Sequence, residues 1–305
     1  MQRHPMKNYG FIPLLWLAGT LATQAAPLPP IHVESTIQYV NPENKAWQKI
    51  NPECRWDKIM LEGLRTETSN RVVVGPKPEG TSDAQTLQLN ARMAPNEADK
   101  SGPQWLDVKG QLLDASGKSI GDFGFRYDLY EGALNRCKYA KHVGGRFASD
   151  IAGWLENPLP GIKISETVAS AQPEVMNPAD WQSCSADISL PHYLISYLPG
   201  QIYRAEEDLS HITSRKLIMK VTSERLLGGG IFTGFRWIEL SGSLVDHGQE
   251  IGSFVALRRS FRSWTTCGIV DRLNYELAAD IAQWLEKPTM NARLGDAETP
   301  DEAKR

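Results

Sequence analysis

The chain lacks any uninterrupted apolar run of about eighteen residues, the length a membrane-spanning helix requires. Its most apolar stretch, Phe11 to Leu21, is short and broken by Pro13. Neither sign of charge dominates: 33 basic residues stand against 36 acidic ones, a net charge of −3, and no basic stripe occurs, which argues against nucleic acid as the main partner. Histidine is scarce. The six present are His4, His32, His142, His192, His211 and His247, and no H-E-x-x-H or H-x-x-H spacing arises among them, nor does any C-x-x-C pair occur. There is no G-x-S-x-G elbow and no phosphate loop, since Gly228-Gly229-Gly230 runs into Ile231 rather than a Lys-Ser or Lys-Thr pair. These absences leave no catalytic residue, no metal ligand and no cofactor to assign.

What the chain does have is a repeat of itself. Ala148 to Pro158 reads A-S-D-I-A-G-W-L-E-N-P and Ala278 to Pro288 reads A-A-D-I-A-Q-W-L-E-K-P, a match at eight of eleven positions at an offset of 130. Cys54 and Cys184 keep that offset, as do Cys137 and Cys267. Upstream, Leu112-Leu113-Asp114, Gly117, Ile120-Gly121 and Phe123 align with Leu244-Val245-Asp246, Gly248, Ile251-Gly252 and Phe254 after a one-residue deletion. A period this long describes two tandem copies of a small domain, not a solenoid of short repeats. With 41% hydrophobic residues the chain carries enough apolar material for two cores.

The first 25 residues read as a secretory signal peptide: basic Arg3 and Lys7, the apolar stretch, then small residues ending at Ala25. No cysteine precedes Cys54, so the processed chain offers no cysteine for a lipid anchor and is expected to be soluble in a bacterial periplasm or outside the cell. Four cysteines in an exported chain, two per copy at matched places, read as disulfides. Of the three possible pairings the repeat favours Cys54–Cys137 and Cys184–Cys267, which close each copy on itself.

Within copy one, Lys58 to Leu64 and Thr86 to Met93 are expected as strands, and Trp105 to Leu113 and Ser119 to Leu129 as a hairpin around Asp114-Ala115-Ser116-Gly117. Copy two repeats the plan with Ile188 to Tyr197, Lys216 to Arg225, Phe235 to Val245 and Glu250 to Phe261. Ala148, Ile151, Ala152 and Leu155 share one helical stripe, as do Leu277, Ala278, Ile281, Ala282 and Leu285, so each copy closes with a helix that Pro158 or Pro288 stops. Asp150 and Asp280 lie off the stripe and are expected in solvent, with Trp154 and Trp284 at its margin. The fold class is α+β, each copy an antiparallel sheet of about four strands packed by its C-terminal helix. The expected division is 1–25 signal peptide, 26–40 extension, 41–158 first domain, 159–176 linker, 177–288 second domain and 289–305 mobile tail.

This order, a strand ending in Leu-Leu-Asp or Leu-Val-Asp, a Gly turn, Ile-Gly-x-Phe on the return strand and a closing helix, resembles a group of uncharacterised bacterial envelope domains. In that group a D-x-x-G-K hairpin precedes a C-terminal helix. Copy one has Asp114, Gly117 and Lys118 in those places, whereas copy two has Gln249 for the Lys. The resemblance implies a fold and an exported location and carries over no catalytic residue.

The most ligand-like stretch is Arg258-Arg259-Ser260-Phe261-Arg262-Ser263-Trp264. Strand alternation puts Arg258 and Arg262 on one face, and with Trp264 they form a basic, aromatic candidate surface for an acidic protein or anionic glycan. The bland reading is local: a hairpin closed at His247-Gly248 sets Arg258 opposite Trp237 and diagonal to Glu239. The favoured function is a non-catalytic binding or assembly module of the cell envelope, with a protein or glycan partner and no membrane span after signal cleavage. Two alternatives stand beside it: a periplasmic inhibitor or immunity protein, and a hydrolase with its site at the domain interface.

Overall fold

The computed structural model describes residues 28–39, 54–76, 83–94, 104–129, 136–170, 184, 186–205, 208–225, 236–260 and 265–298. It is a mixed α/β protein with two sheets. The first holds β1 (Ile31–Val33), β2 (Gln38–Tyr39), β3 (Val72–Val74), β4 (Gln85–Ala94), β5 (Gln104–Leu113) and β6 (Ser119–Leu129) in the order β3-β1-β4-β5-β6, with β2 also on β4. The second holds β7 (Ile162–Ile164), β8 (Ala169–Ser170), β9 (Ile202–Arg204), β10 (Lys216–Arg225), β11 (Arg236–Asp246), β12 (Gln249–Ser260) and β13 (Ala292–Gly295). Their order is β13-β12-β11-β10-β7-β9, with β8 on β10. Helices α1 (Trp56–Glu67) and α2 (Arg136–Glu156) serve the first sheet, α3 (Ala186–Tyr197) and α4 (Thr266–Glu286) the second. Two separate hydrophobic cores result. No described helix is long and apolar enough to cross a membrane.

The long strands β4-β5-β6 and β10-β11-β12 are antiparallel, as their alternation dictates. The short ones β1, β2, β3, β7, β8, β9 and β13 are parallel additions, so the sheets are mixed rather than purely antiparallel. Strands of two to four residues carry too little alternation to be seen in sequence. Three expectations change as a result. Ile31 to Val33, expected in a mobile extension, lies fully inside the first sheet between β3 and β4. The expected linker supplies β7 and β8 to the second sheet, and the expected mobile tail supplies β13, which covers the edge of β12.

The segments Lys58 to Leu64 and Ile188 to Tyr197 are helical, not extended. In α1 the buried residues are Trp56, Met60, Leu61 and Leu64, a three-and-four spacing that the seven-residue window starting at Lys58 conceals. In α3 Pro191 has no N–H to give the carbonyl of Asp187, four residues back. That oxygen instead accepts from the backbone N–H of Val168 at 3.0 Å, so the helix carries the proline without leaving this carbonyl unpaired. Disulfides Cys54–Cys137 and Cys184–Cys267 tie the start of each of these helices to its closing helix, with Cα atoms 4.8 Å apart in both.

The same packing unit recurs in each half. Phe123 rests on Gly110 and against Trp154, ring centroids 4.7 Å apart, and Phe254 rests on Gly242 and against Trp284 at 4.8 Å. The two tryptophans are buried rather than marginal, 9% and 6% exposed, because each glycine leaves the hole that its phenylalanine fills.

Candidate functional site

The two halves part company at one place. After each closing helix the chain returns to the neighbouring strand in the same way: the N–H of Asp122 donates to the carbonyl of Leu159, and that of Ser253 to the carbonyl of Thr289. In the second half the chain then runs on along β12 as β13. In the first half it crosses instead into the other sheet as β7, and the edge of β6 is met by the flank of β9 through an antiparallel bridge between Gly124 and Gly200. The sheets therefore sit edge to edge at β6 and β9.

Glycine makes this joint possible. A Cβ on Gly124 would fall 2.5 Å from the Cβ of Tyr203, one on Gly161 2.5 Å from the Tyr203 ring, and one on Gly200 2.4 Å from Phe125. Their counterparts away from the joint are Val255, Asn291 and Asn70, so side chains return where no second sheet presses in. Tyr203 is the pin, buried over Gly124 with its hydroxyl donating to Asp122. The other oxygen of that carboxylate accepts from the N–H of Gly161 at 2.8 Å.

Two cavities flank the pin. One, of about 510 Å³, is walled by Gln88, Asn90, Lys109 and Gln111 from the first sheet and by Lys163 and Tyr203 from the second. The other, of about 420 Å³, lies toward the helices, walled by Arg126, Tyr127, Arg146 and Asp150 on one side and His192 and Arg204 on the other. A small cleft at Lys109, Arg126, Tyr203 and Arg204 touches both.

The charges here are arranged unequally. Asp107 and Arg126, cross-strand partners on β5 and β6, form a fork with N–O distances of 2.5 and 2.7 Å. Asp150 accepts from the Tyr127 hydroxyl, and burial raises its pKa. Arg146 lies over the Tyr127 ring, 4.5 Å from its centroid. Arg204, its side chain only 14% exposed, gives one nitrogen to Glu166 at 2.9 Å, while its Nε is buried without a hydrogen-bond partner. Burial, and then the nearby positive charge of Arg126, pulls Arg204 below the usual guanidinium value; Glu166 and Asp107 only partly offset this. His192 and Ser196 line the same cavity, but the Ser196 hydroxyl donates to the His192 carbonyl at 3.0 Å, so they do not form a nucleophile and base pair. Among the described residues no group of three His, Cys, Asp or Glu is placed to hold a metal ion.

Of the residues singled out in sequence, Arg258 is described and Arg262 and Trp264 lie outside the described residues, as does the signal peptide. Arg258 faces Ile238, not Trp237, which instead opposes Arg259. A register shift between Leu244 and Val245 moves every pair beyond it by one residue, and the turn alone does not reveal it. The partner of Arg258 is Asp280 on α4, at 2.7 and 2.5 Å, with Asp296 at 3.8 Å; the hydrogen bonds to Asp280 hold the guanidinium above its usual value. Glu239 accepts from Thr222 instead. Asp280 and Asp150, both expected in solvent, thus occupy equivalent places, each holding a strand residue, Arg258 or Tyr127. The junction itself was invisible in sequence except as the three glycines that break the repeat.

No family model matches the chain, and no curated protein matches it. Among solved structures it is similar to a PelC dodecamer from Paraburkholderia phytofirmans (14% identity, TM-score 0.27, covering 40% of this chain and 86% of that one). It is also similar to a DUF330 protein from Xanthomonas campestris (10%, 0.27, 43% and 87%) and to a minor lipoprotein from Acinetobacter baumannii (16%, 0.25, 44% and 97%).

Proposed function

We propose that the protein is an exported, non-catalytic binding or assembly module of the bacterial cell envelope, built from two tandem copies of one domain, whose ligand groove is the junction between them. The observation that carries this reading is the break in the repeat: where the copies meet, glycines replace side chains and two polar cavities open, walled by both copies. Export is supported by the two disulfides, which persist in oxidising compartments. A binding role is favoured over hydrolysis because the junction carboxylates are occupied: Asp107 by Arg126, Asp122 by Gly161 and Tyr203, and Asp150 by Tyr127. No pair of them stands free as acid and base.

The test fills the larger cavity from an exposed wall. Asn90→Trp sits on a solvent-facing position of β4 and should leave the fold intact. Envelope extract passed over the wild type and over this variant should show a component retained by the first and lost by the second. Equal retention by both, and by a Ser196→Trp variant that fills the smaller cavity from an exposed wall, removes the junction as the binding groove.

A further inference from the structure

We infer that the cavity of about 420 Å³ walled by Arg126, Arg146 and Arg204 binds a ligand through a carboxylate group, an inference that rests on the junction being the ligand groove. Arg204 is the reason. A guanidinium taken out of water is tolerated when its charge and its donors are matched. Here the nearest carboxylate, Glu166, is 64% exposed and reaches one nitrogen, and Nε has no partner. The second guanidinium, Arg126, already satisfied by Asp107, adds its field to that of Arg204 rather than relieving it.

The wall itself is mostly positive. Of the charged residues that line the cavity, Arg126, Arg146 and Arg204 stand against Asp150; Asp107 offsets Arg126 and the exposed Glu166 reaches one nitrogen of Arg204 from outside the lining. A lining richer in guanidinium than in carboxylate suits an anion, and the planar donor fork of arginine matches a carboxylate. Phe125, Tyr127, Ile195 and Pro199 line the same cavity and offer an apolar seat for the body of the ligand. Each copy contributes: Arg126 and Arg146 from the first, Arg204 from the second. The second copy has Leu257 and Glu276 where the first has Arg126 and Arg146, and its Arg258, the counterpart of Tyr127, is held by Asp280.

A carboxylate of this kind comes from an acidic sugar or from a peptide C-terminus, and calorimetric titration separates them. The probes are sodium galacturonate and N-acetyl-alanyl-alanine, each beside its neutral counterpart, galactose and the dipeptide amide, at constant ionic strength. At least one carboxylate should saturate the protein while its neutral counterpart does not. Arg204→Gln and Arg146→Gln should each weaken that binding about tenfold, the loss of one charge-assisted hydrogen bond. Arg146 is exposed, so its variant remains informative should Arg204→Gln fail to fold. Saturation by inorganic phosphate alone, equal affinity for a carboxylate and its neutral counterpart, or carboxylate binding that survives both substitutions overturns the inference. Neutral-ligand binding abolished by Asn90→Trp would overturn it while leaving the junction as the groove. Carboxylate binding lost in Arg204→Gln, alongside envelope capture that no junction substitution changes, would uphold it and sink the functional reading.

Discussion

Glu224, near the end of β10, shows at the scale of a single residue how burial and charge compete. One of its carboxylate oxygens is buried without a hydrogen-bond partner, and burial pushes its pKa up to about 7 from an ordinary 4.5. A carboxyl that holds its proton more tightly when folded than when unfolded favours the folded state only while that proton stays on. Below about pH 4.5 both states are protonated and nothing is lost; as pH rises toward 7 the unfolded chain releases its proton first and stability falls; above 7 the cost is complete. Glu224→Gln removes the titration. We expect the variant to be more stable than the wild type by about 1–2 kcal/mol above pH 7, a value reduced for partial solvent screening, with the gap closing by pH 4. Urea unfolding across that range checks it, and a gap that is flat with pH would show that Glu224 is not the group responsible. Arg258 illustrates the opposite outcome: a charge that looks free in sequence is matched so fully by Asp280 that it is a strut between β12 and α4.

At the scale of elements, legibility followed length among the strands but not among the helices. The six strands and two closing helices that span ten residues or more lie close to where periodicity puts them, because each shows one face to a core often enough to leave a pattern. Thr86 to Met93 grew only into Gln85–Ala94, and Lys216 to Arg225 did not move. The strands of two to four residues left no such pattern, and α1 and α3 were read as strands because a short apolar window looks alike in either state. The junction needed three-dimensional adjacency, and only Gly124, Gly161 and Gly200 betrayed it. The cysteines were legible because the repeat fixed their partners, and their energetic role can be measured at this scale. Cys54 and Cys137 lie 83 residues apart, and their bond holds the start of α1 to α2. Replacing both by Ser relaxes that loop in the unfolded chain, which in the chain-entropy account costs about 2–4 kcal/mol after allowance for shortfalls. The variant should unfold at correspondingly lower urea, with helix content before the transition unchanged. A midpoint equal to that of the wild type would mean that helix packing alone, through the close approach of Gly63 to Ala148, fixes the pair.

For the whole molecule, the decisive feature is that its two sheets join at β6 and β9 and then stop. The same joint is available, in principle, between molecules: β3 is the counterpart of β9 and ends its sheet, with Val73 40% exposed, while β12 is the counterpart of β6. A head-to-tail contact of that kind does not close on itself and would build open chains. Two things stand in its way. Strand β13 occupies the edge of β12 from Phe254 to Leu257, and Val255 fills the position where Gly124 admits Tyr203. An edge strand left open offers its unpaired N–H and C=O groups to any strand that can reach them. Ending the chain after Pro288 removes β13 and bares that edge, and Val255→Gly then removes the steric block. We expect the truncated Val255→Gly protein to sediment as a concentration-dependent series of species, the truncation alone to associate more weakly, and Val255→Gly in the full chain to remain as the wild type. If the doubly altered protein keeps its circular dichroism yet sediments as a single species at every concentration, then β13 is no edge guard, and the joint between β6 and β9 depends on the tether between the two halves rather than on the complementarity of their edges.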